Sequence, residues 1–305
     1  FTSMYDDSFG GDTNNDGDGT VPTPGDWNGI HVYGGGSVTL HHTHLRYGGS
    51  FSDKPYRGIL NITGDGQTDL QDSSVAHSRH YGVYLSSSST TTATVRMGHT
   101  TVEHNLSSGI YAESGTDYSY QVSVADSTVQ NNGGLGLRLE RGPVTIRDSL
   151  VANNASTGIS TRDSSAIVVD NQVLGNGGTG LDVASHTTPI TPTVHHNTLS
   201  FNDGYAGLFS GFAWHATFSL GSEGLLGNHG EGNTYDAVAF QGTIAGDNLL
   251  SPQGQLGFGI EGYYSHPVYA YFYIPSAAKV TFEAGSVIKM GPASGSDRDR
   301  ERRIR

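Results

Sequence analysis

The sequence contains no cysteine. That excludes a disulfide framework, thiolate metal sites and thiol catalysis, and it leaves the redox compartment open. Long apolar runs are missing as well. The apolar share is 34%, and no stretch approaches the roughly 20 residues that a membrane-crossing helix needs, so membrane insertion is not expected. Basic residues are scarce: 16 Lys and Arg stand against 29 Asp and Glu, a net charge of −13. The last nine residues, Asp297–Arg305, hold five of the basic residues and three of the acidic ones, so the rest of the chain carries −15. A surface this acidic repels nucleic acid and anionic membranes. It suits cations and neutral glycans, and a polyanionic glycan only where metal ions bridge the charges. Helical periodicity is absent throughout.

What the chain has in quantity is glycine, 44 residues, set with Asn and Ser between short runs in which apolar and polar residues alternate. Alternation at period two means strand, and the intervening residues mean turns. The clearest stretch runs from Val144 to Val183, where one unit is written twice at an offset of 22 residues. With Asp148 as reference, the same column holds His42, Asp72, His99, Asp126, Asp148, Asp170 and His196. Two residues earlier every unit is apolar, as in Leu70, Met97, Val124, Ile146, Val168 and Val194. Three residues later it is apolar again, as in Val102, Val129, Val151 and Val173. Ten residues later come Gly82-Val83, Gly109-Ile110, Gly136-Leu137, Gly158-Ile159 and Gly180-Leu181. A fixed period of this size means stacked coils, each burying its apolar face against the next. The reading is an all-β, parallel solenoid with three strands per coil. Coils of 22 to 30 residues imply loops of unequal length leaving from fixed corners.

These D-S-x-V-x-x-N and G-I-x-V motifs resemble the right-handed parallel β-helix repeat proteins, the group that includes pectate-lyase-like folds. The resemblance covers roughly Asp26 to Ser210. It implies the fold and little about function, because this scaffold carries lyases, hydrolases, adhesins and spacers. The opening block, Phe1-Thr2-Ser3 through Gly25-Asp26-Trp27, is similar to a recurring block of large bacterial extracellular β-helix proteins. In those it follows a strand pair like Val280–Lys289, so the resemblance implies a chain cut out of phase with its repeat. It also implies an extracellular or cell-surface location, and a start at Phe1 without Met is compatible with an upstream leader. Four regions are expected: an acidic N-terminal loop over 1–26, the β-helix over 27–250, an aromatic C-terminal cap over 251–290, and a disordered tail over 291–305, of possible vector origin. Terminal coils cut out of phase expose unpaired strand edges, so end-to-end self-association or a swapped pair at Val280–Met290 is expected.

Several groups of residues could carry chemistry. Asp12, Asn14, Asp16 and Asp18 alternate as in a calcium loop, with Gly17 for the turn, although Thr23 stands where a closing Glu is usual. The competing reading is a solvated Asp/Asn turn. His42, Asp72 and His99 lie on successive coils about 4.8 Å apart and could converge on a metal, or could simply occupy a turn column. Asp126, Asp148 and Asp170 stack as like charges and are expected to cap backbone amides at each corner. The outward position of each Gly-Ile-x strand holds Tyr84, Tyr111, Arg138, Asp182 and Phe209, a mixed aromatic and polar strip that suits stacking on sugar rings. Ordinary cross-strand pairing would produce the same strip. Glu103, Asp182 and Asp203 are the candidate catalytic acids, but coil spacing alone supplies glycosidase-like separations and so selects no pair. A lyase would draw its base from Lys54, Arg57 or Arg79. The expected function is polysaccharide binding or a surface spacer or adhesin role, and the alternative is a polysaccharide hydrolase or lyase working along the same face.

Overall fold

The computed structural model describes residues 1–50, 57–87, 91–112, 120–211, 217–221, 224–260 and 272–290. Among them there is no α-helix, and no helix long and apolar enough to cross a membrane. Among the described residues three parallel sheets of 13, 10 and 7 strands lie side by side, the third ending at Thr198–Ser200. Up to Thr198–Ser200 each coil gives one strand to each sheet. The coil Leu137–Glu140, Val144–Arg147, Leu150–Ala152 is followed by Ile159–Arg162, Ile167–Val169, Gln172–Leu174. Each strand pairs with its equivalent one coil on, so Val124, Ile146, Val168 and Val194 stand in one register. The chain is an all-β parallel β-helix with three strands per coil.

The core is a thin prism filled by these inward rows. Met97, Val124, Ile146 and Val168 are buried, as are Val102, Val129, Val151 and Val173. Val, Ile and Leu suit it because a pleated strand offers its branched side chains one half-buried face.

At two corners the backbone turns inward-facing groups away from the sheets, and side chains satisfy them. One internal ladder runs Asn105, Asn132, Asn154, Asn176, Asn202 and Asn233, all buried. Each side-chain amide donates to the next Asn Oδ1 at 2.9 to 3.0 Å and to a backbone carbonyl of the preceding coil, as Asn154 does to Val129. Its last member ends on Asp236, whose Oδ1 accepts from both Asn233 N (2.8 Å) and Asn233 Nδ2 (3.0 Å). The second ladder runs Ser73, Thr100, Ser127, Ser149, Asn171, Asn197, Asn228 and closes on Gln253.

The turn columns differ from expectation. His42, Asp72, His99, Asp126, Asp148, Asp170 and His196 all have φ near +50°. His, Asp and Asn tolerate that left-handed conformation better than other non-glycine residues. Their side chains are exposed, and capping is done instead by the residue that follows, the second ladder. The like charges are relieved sideways: Arg147 lies 2.7 Å from Asp148 and 3.9 Å from Asp126, and His196 lies 3.8 Å from Asp170.

The expected end of the solenoid is corrected, and so is the exchange expected of its last strand pair. The solenoid does not stop at residue 250. Gly257–Ile260 and Ile288–Met290 extend the first sheet, and Lys279–Phe282 extends the second. Val280–Met290 thus stacks on the chain's own preceding coil, in register with Asn248–Leu250 and Phe258–Ile260, and is not a pair held out for exchange. The N-terminal segment is likewise docked: the Phe1 ammonium donates to His44 O at 2.8 Å, and Arg46 N donates to Phe1 O at 3.0 Å. Most of the aromatic stretch Tyr263–Ile274, and the tail from Gly291, lie outside the described residues.

Candidate functional site

Parallel stacking puts equivalent positions of successive coils side by side. On the outward face of the first sheet the register aligns Asn61, Tyr84, Tyr111, Arg138, Ser160 and Asp182. Four of the five proposed ligand residues therefore share one row. At its start three phenol rings stack: Tyr81 on Tyr111 at 4.4 Å, Tyr81 on Tyr84 at 5.8 Å and Tyr84 on Tyr111 at 6.2 Å. Tyr84 is only 1% exposed, so its ring supports the stack while Tyr81 and Tyr111 present surface. Burial pushes the Tyr84 hydroxyl up to about 12, against the opposing pull of Ser86 and Arg57. Burial also raises Tyr111, opposed by Arg138.

The Arg138 guanidinium lies 5.6 Å from the centre of the Tyr111 ring, a cation–π distance. It also reaches Glu140 at 2.7 Å, and Arg162 reaches the same Oε1 at 3.4 Å. Glu140 is 2% exposed, a buried carboxylate held between two cations. These two partners were missed because only one outward position per strand was read. Glu140 and Arg162 stand two residues beyond Arg138 and Ser160, which period two places on the same face. Arg57 belongs to this neighbourhood, and its Nε is shielded from solvent with no hydrogen-bond partner among the described residues.

Asp182 closes the row. Its carboxylate accepts from Ser160 Oγ at 3.3 Å. Burial drives its pKa up to about 6, against the smaller opposing effects of Ser160, Arg162 and Arg138. An acid raised in the folded state keeps its proton where the unfolded chain, near 3.8, has lost it. Its contribution to stability is full below about pH 4 and is lost as pH rises towards 6. Asp182→Asn should flatten that part of a melting-temperature profile, and identical profiles for variant and parent would refute the assignment.

Phe209 does not join the site. It is 1% exposed, in register with Val183 and Phe240 inside the core. The equivalent of Gly180 is Ala206, one residue before the glycine, so Gly207 aligns with Leu181 and the outward position falls on Leu208. The three candidate acids are also separated. Asp182 lies on the first sheet. Glu103 lies on the third, where it accepts from Gln130 at 2.8 Å and faces His104 at 3.6 Å. Asp203 is an exposed turn residue after Thr198–Ser200. No carboxylate pair is assembled from them. Lys54 lies outside the described residues.

Of the metal candidates, His42, Asp72 and His99 occupy exposed turn positions and their ligand atoms do not converge. Among the described residues the one convergent acidic group is Asp7, Asp12 and Asp16, with oxygens within 4.8 Å of one another. Asp18 is not part of it, and Asp7 replaces it. Asp12 accepts from Asp16 N (3.1 Å) and Gly17 N (2.9 Å), while Asn14 Nδ2 and Thr20 Oγ1 donate to Asp16. Asp7 Oδ1 and Asn14 Oδ1 are shielded and have no hydrogen-bond partner among the described residues.

Comparison with known proteins agrees with this architecture. A double mutant of the periplasmic alginate epimerase AlgG is similar in structure, with a TM-score of 0.58 and 14% identity over 92% of this chain and 66% of that one. The chain thus spans just under two thirds of that protein, and at this identity the likeness is one of fold. No curated protein matches. The family described as right handed beta helix region matches residues 57–220, which include the whole row from Asn61 to Asp182. With more than half of its length matched, the chain belongs to the right-handed β-helix family.

Proposed function

We propose that this chain is an extracellular or cell-surface β-helix module that binds polysaccharide along the outward face of its first sheet. The observation that carries the reading is the continuous row of stacked Tyr81 and Tyr111 rings, the Arg138–Glu140–Arg162 network and Asp182. Phenol rings present flat apolar faces to the CH face of a pyranose, and the charged network offers fixed donors and acceptors to its hydroxyls. The similar fold of a periplasmic enzyme named for alginate supports a glycan ligand and a place outside the cytoplasm.

A second reading, catalysis on the same glycan, is favoured by Asp182. A carboxyl poised near 6 can exchange a proton at neutral pH. The absence of a second free carboxylate beside it, among the described residues, weighs against two-carboxylate hydrolysis. A panel of polysaccharides scored for both binding and cleavage separates the readings. Binding without new reducing ends or near-ultraviolet absorbance supports the module. Turnover that Asp182→Asn abolishes while binding persists supports the enzyme. Tyr111→Ala should weaken binding about tenfold in either case, the scale of one aromatic contact at about 1.4 kcal/mol per decade. No binding to any member of the panel would end both readings.

Calcium held by Asp7, Asp12 and Asp16 belongs to the same proposal. Burial and the neighbouring charges of Asp12, Asp16 and Asp18 raise Asp7 above its usual range, a strain that a divalent cation would relieve. The unpartnered oxygens of Asp7 and Asn14 supply the hard ligands calcium prefers. Excess chelator should then lower the melting temperature, since a ligand bound only by the folded state stabilises it. An unshifted melting curve removes the ion from the account.

A further inference from the structure

The outward face carries a second pair of stacked rings that the row above does not include. The backbone bonds Gly82 N to Ser108 O, Gly109 N to Leu135 O, Gly136 N to Thr157 O, Gly158 N to Thr179 O and Gly180 N to Tyr205 O define a column running just before the glycine corner. It begins at Tyr81, which stacks on Tyr111, and it reaches Tyr205. Tyr205 pairs in register with Tyr235, their rings 4.6 Å apart and 24° from parallel. Tyr235 is 52% exposed. Between the two ring pairs the column holds the smaller side chains Ser108, Leu135, Thr157 and Thr179, and the adjacent row holds Arg138, Ser160 and Asp182.

The two pairs are separated by a countable distance. From the strand Ile110–Ala112 to Tyr205–Gly211 the sheet passes through Leu137–Glu140, Ile159–Arg162 and Leu181–Ser185. Four strand steps at about 4.8 Å make about 19 Å. An extended glycan repeats its rings at intervals close to the coil spacing, so a chain lying along the solenoid axis meets equivalent positions sugar after sugar. Rings at both ends with hydroxyl and charged side chains between them fit such a chain better than a globular partner, whose contact would call for a broad apolar centre.

We propose that Tyr205 and Tyr235 form a distal sugar platform, so that the site takes one linear glycan spanning at least five coils and selects by chain length. This rests on the polysaccharide reading of the Tyr81–Asp182 face and deepens it. A chain long enough to reach both platforms makes the second contact intramolecularly and gains affinity without any new kind of interaction. A chain too short to bridge them is confined to one platform.

The test is a length series of alginate and cellulose oligomers, dimer to octamer, measured by calorimetry with calcium present. The intact chain should bind the longest oligomers at least tenfold more tightly than the dimers. Tyr235→Ala should remove that advantage and leave dimers bound only at the Tyr81–Tyr111 rings, whereas Tyr111→Ala should weaken the longest oligomers as well. Tyr235→Trp keeps a flat ring and should restore the long-chain advantage, which separates a platform from a fold defect. Affinity independent of length, or a Tyr235→Ala profile matching the parent or falling equally at all lengths, overturns the distal platform while leaving the polysaccharide reading intact. If the unaltered chain binds no oligomer while binding its polymer, the platform is overturned alone. If it binds neither, both fall.

Discussion

Asn154→Ala should be the most destabilising single change in this molecule, at about 4–6 kcal/mol. The side chain is 1% exposed and fully used. Its Nδ2 donates to Val129 O (3.1 Å) and Asn176 Oδ1 (2.9 Å), and its Oδ1 accepts from Asn132 N (3.2 Å) and Asn132 Nδ2 (2.9 Å). Alanine leaves both Asn132 donors and the Val129 carbonyl without that partner, where no water reaches them. Each such buried orphan costs roughly 1–3 kcal/mol. Whole domains are stable by only about 5–15 kcal/mol, so the variant should unfold near room temperature or melt in separate segments. The control is Thr128→Ala on the outward face of the neighbouring strand, which should stay within about 0.5 kcal/mol. Denaturant midpoints for the two variants decide the matter, and a loss below about 1 kcal/mol for Asn154→Ala would show that water repairs the ladder.

Asp163→Ala should cost about 3–5 kcal/mol and should show a distinct pH signature. The residue sits at φ +49° with 8% exposure. Its carboxylate accepts from His186 N (2.6 Å), Thr187 N and Thr187 Oγ1 (both 2.8 Å) and Thr188 N (3.3 Å), with Arg141 at 3.5 Å. It thereby fixes the loop that leaves the strand ending at Ser185. Hydrogen bonds to a charged acceptor contribute about 1.5–3 kcal/mol each, discounted here because a released loop is rehydrated. Burial alone would raise this acid, but the bonds from Thr187, His186 and Thr188 outweigh it and hold the pKa below 3.8. A depressed acid stabilises above its unfolded pKa and loses that contribution as pH falls through the folded value. The parent should therefore weaken below about pH 4 and the variant should not. Asp163→Asn keeps an oxygen for the three backbone N–H groups, which all donate to Oδ1, but loses the charge and the Oδ2 contacts to Thr187 Oγ1 and Arg141, so it should restore only part of the stability and none of the acid profile. A variant with the parent's acid profile would refute the assignment. Because Arg162 acts on His186, the loosened loop also borders the face proposed to bind glycan.

These two residues illustrate what could be read from the sequence. The inward rows were legible, since parallel stacking demands the same residue class at the same place in each coil, and Val124, Ile146 and Val168 obey it. The ladder was half legible. The sequence has asparagine pairs at Asn131-Asn132 and Asn153-Asn154 and single asparagines at Asn176 and Asn202. In the structure Asn131 and Asn153 take the left-handed turn beside Gly175 and Phe201, and their successors Asn132 and Asn154 join Asn176 and Asn202 inside. A sequence shows a repeated Asn pair but not which member turns inward. Asp163 carried no signal, because its partners are backbone groups of a loop 23 to 25 residues away. Phe209 was misplaced because Gly207 stands one residue after Ala206, the true equivalent of Gly180, and a one-residue slip is the error to which period-two patterns are most sensitive. The row from Tyr84 to Asp182 was found because it lies where the register is unbroken.

The termination of the asparagine ladder on Asp236 has a further consequence. Every side-chain amide in that ladder points the same way, so the column is a polar line with an N–H end and a C=O end. An asparagine can pass the pattern on, since it both accepts and donates. A carboxylate accepts two bonds and returns none, so a seventh rung cannot be added beyond it. The third sheet ends with Thr198–Ser200, one coil before Asn233, while the first and second sheets continue. Asp236 therefore works as a punctuation mark in the repeat, the point at which a three-sided prism becomes two-sided. Replacing it with asparagine would restore the grammar for elongation, but without a following rung to speak to.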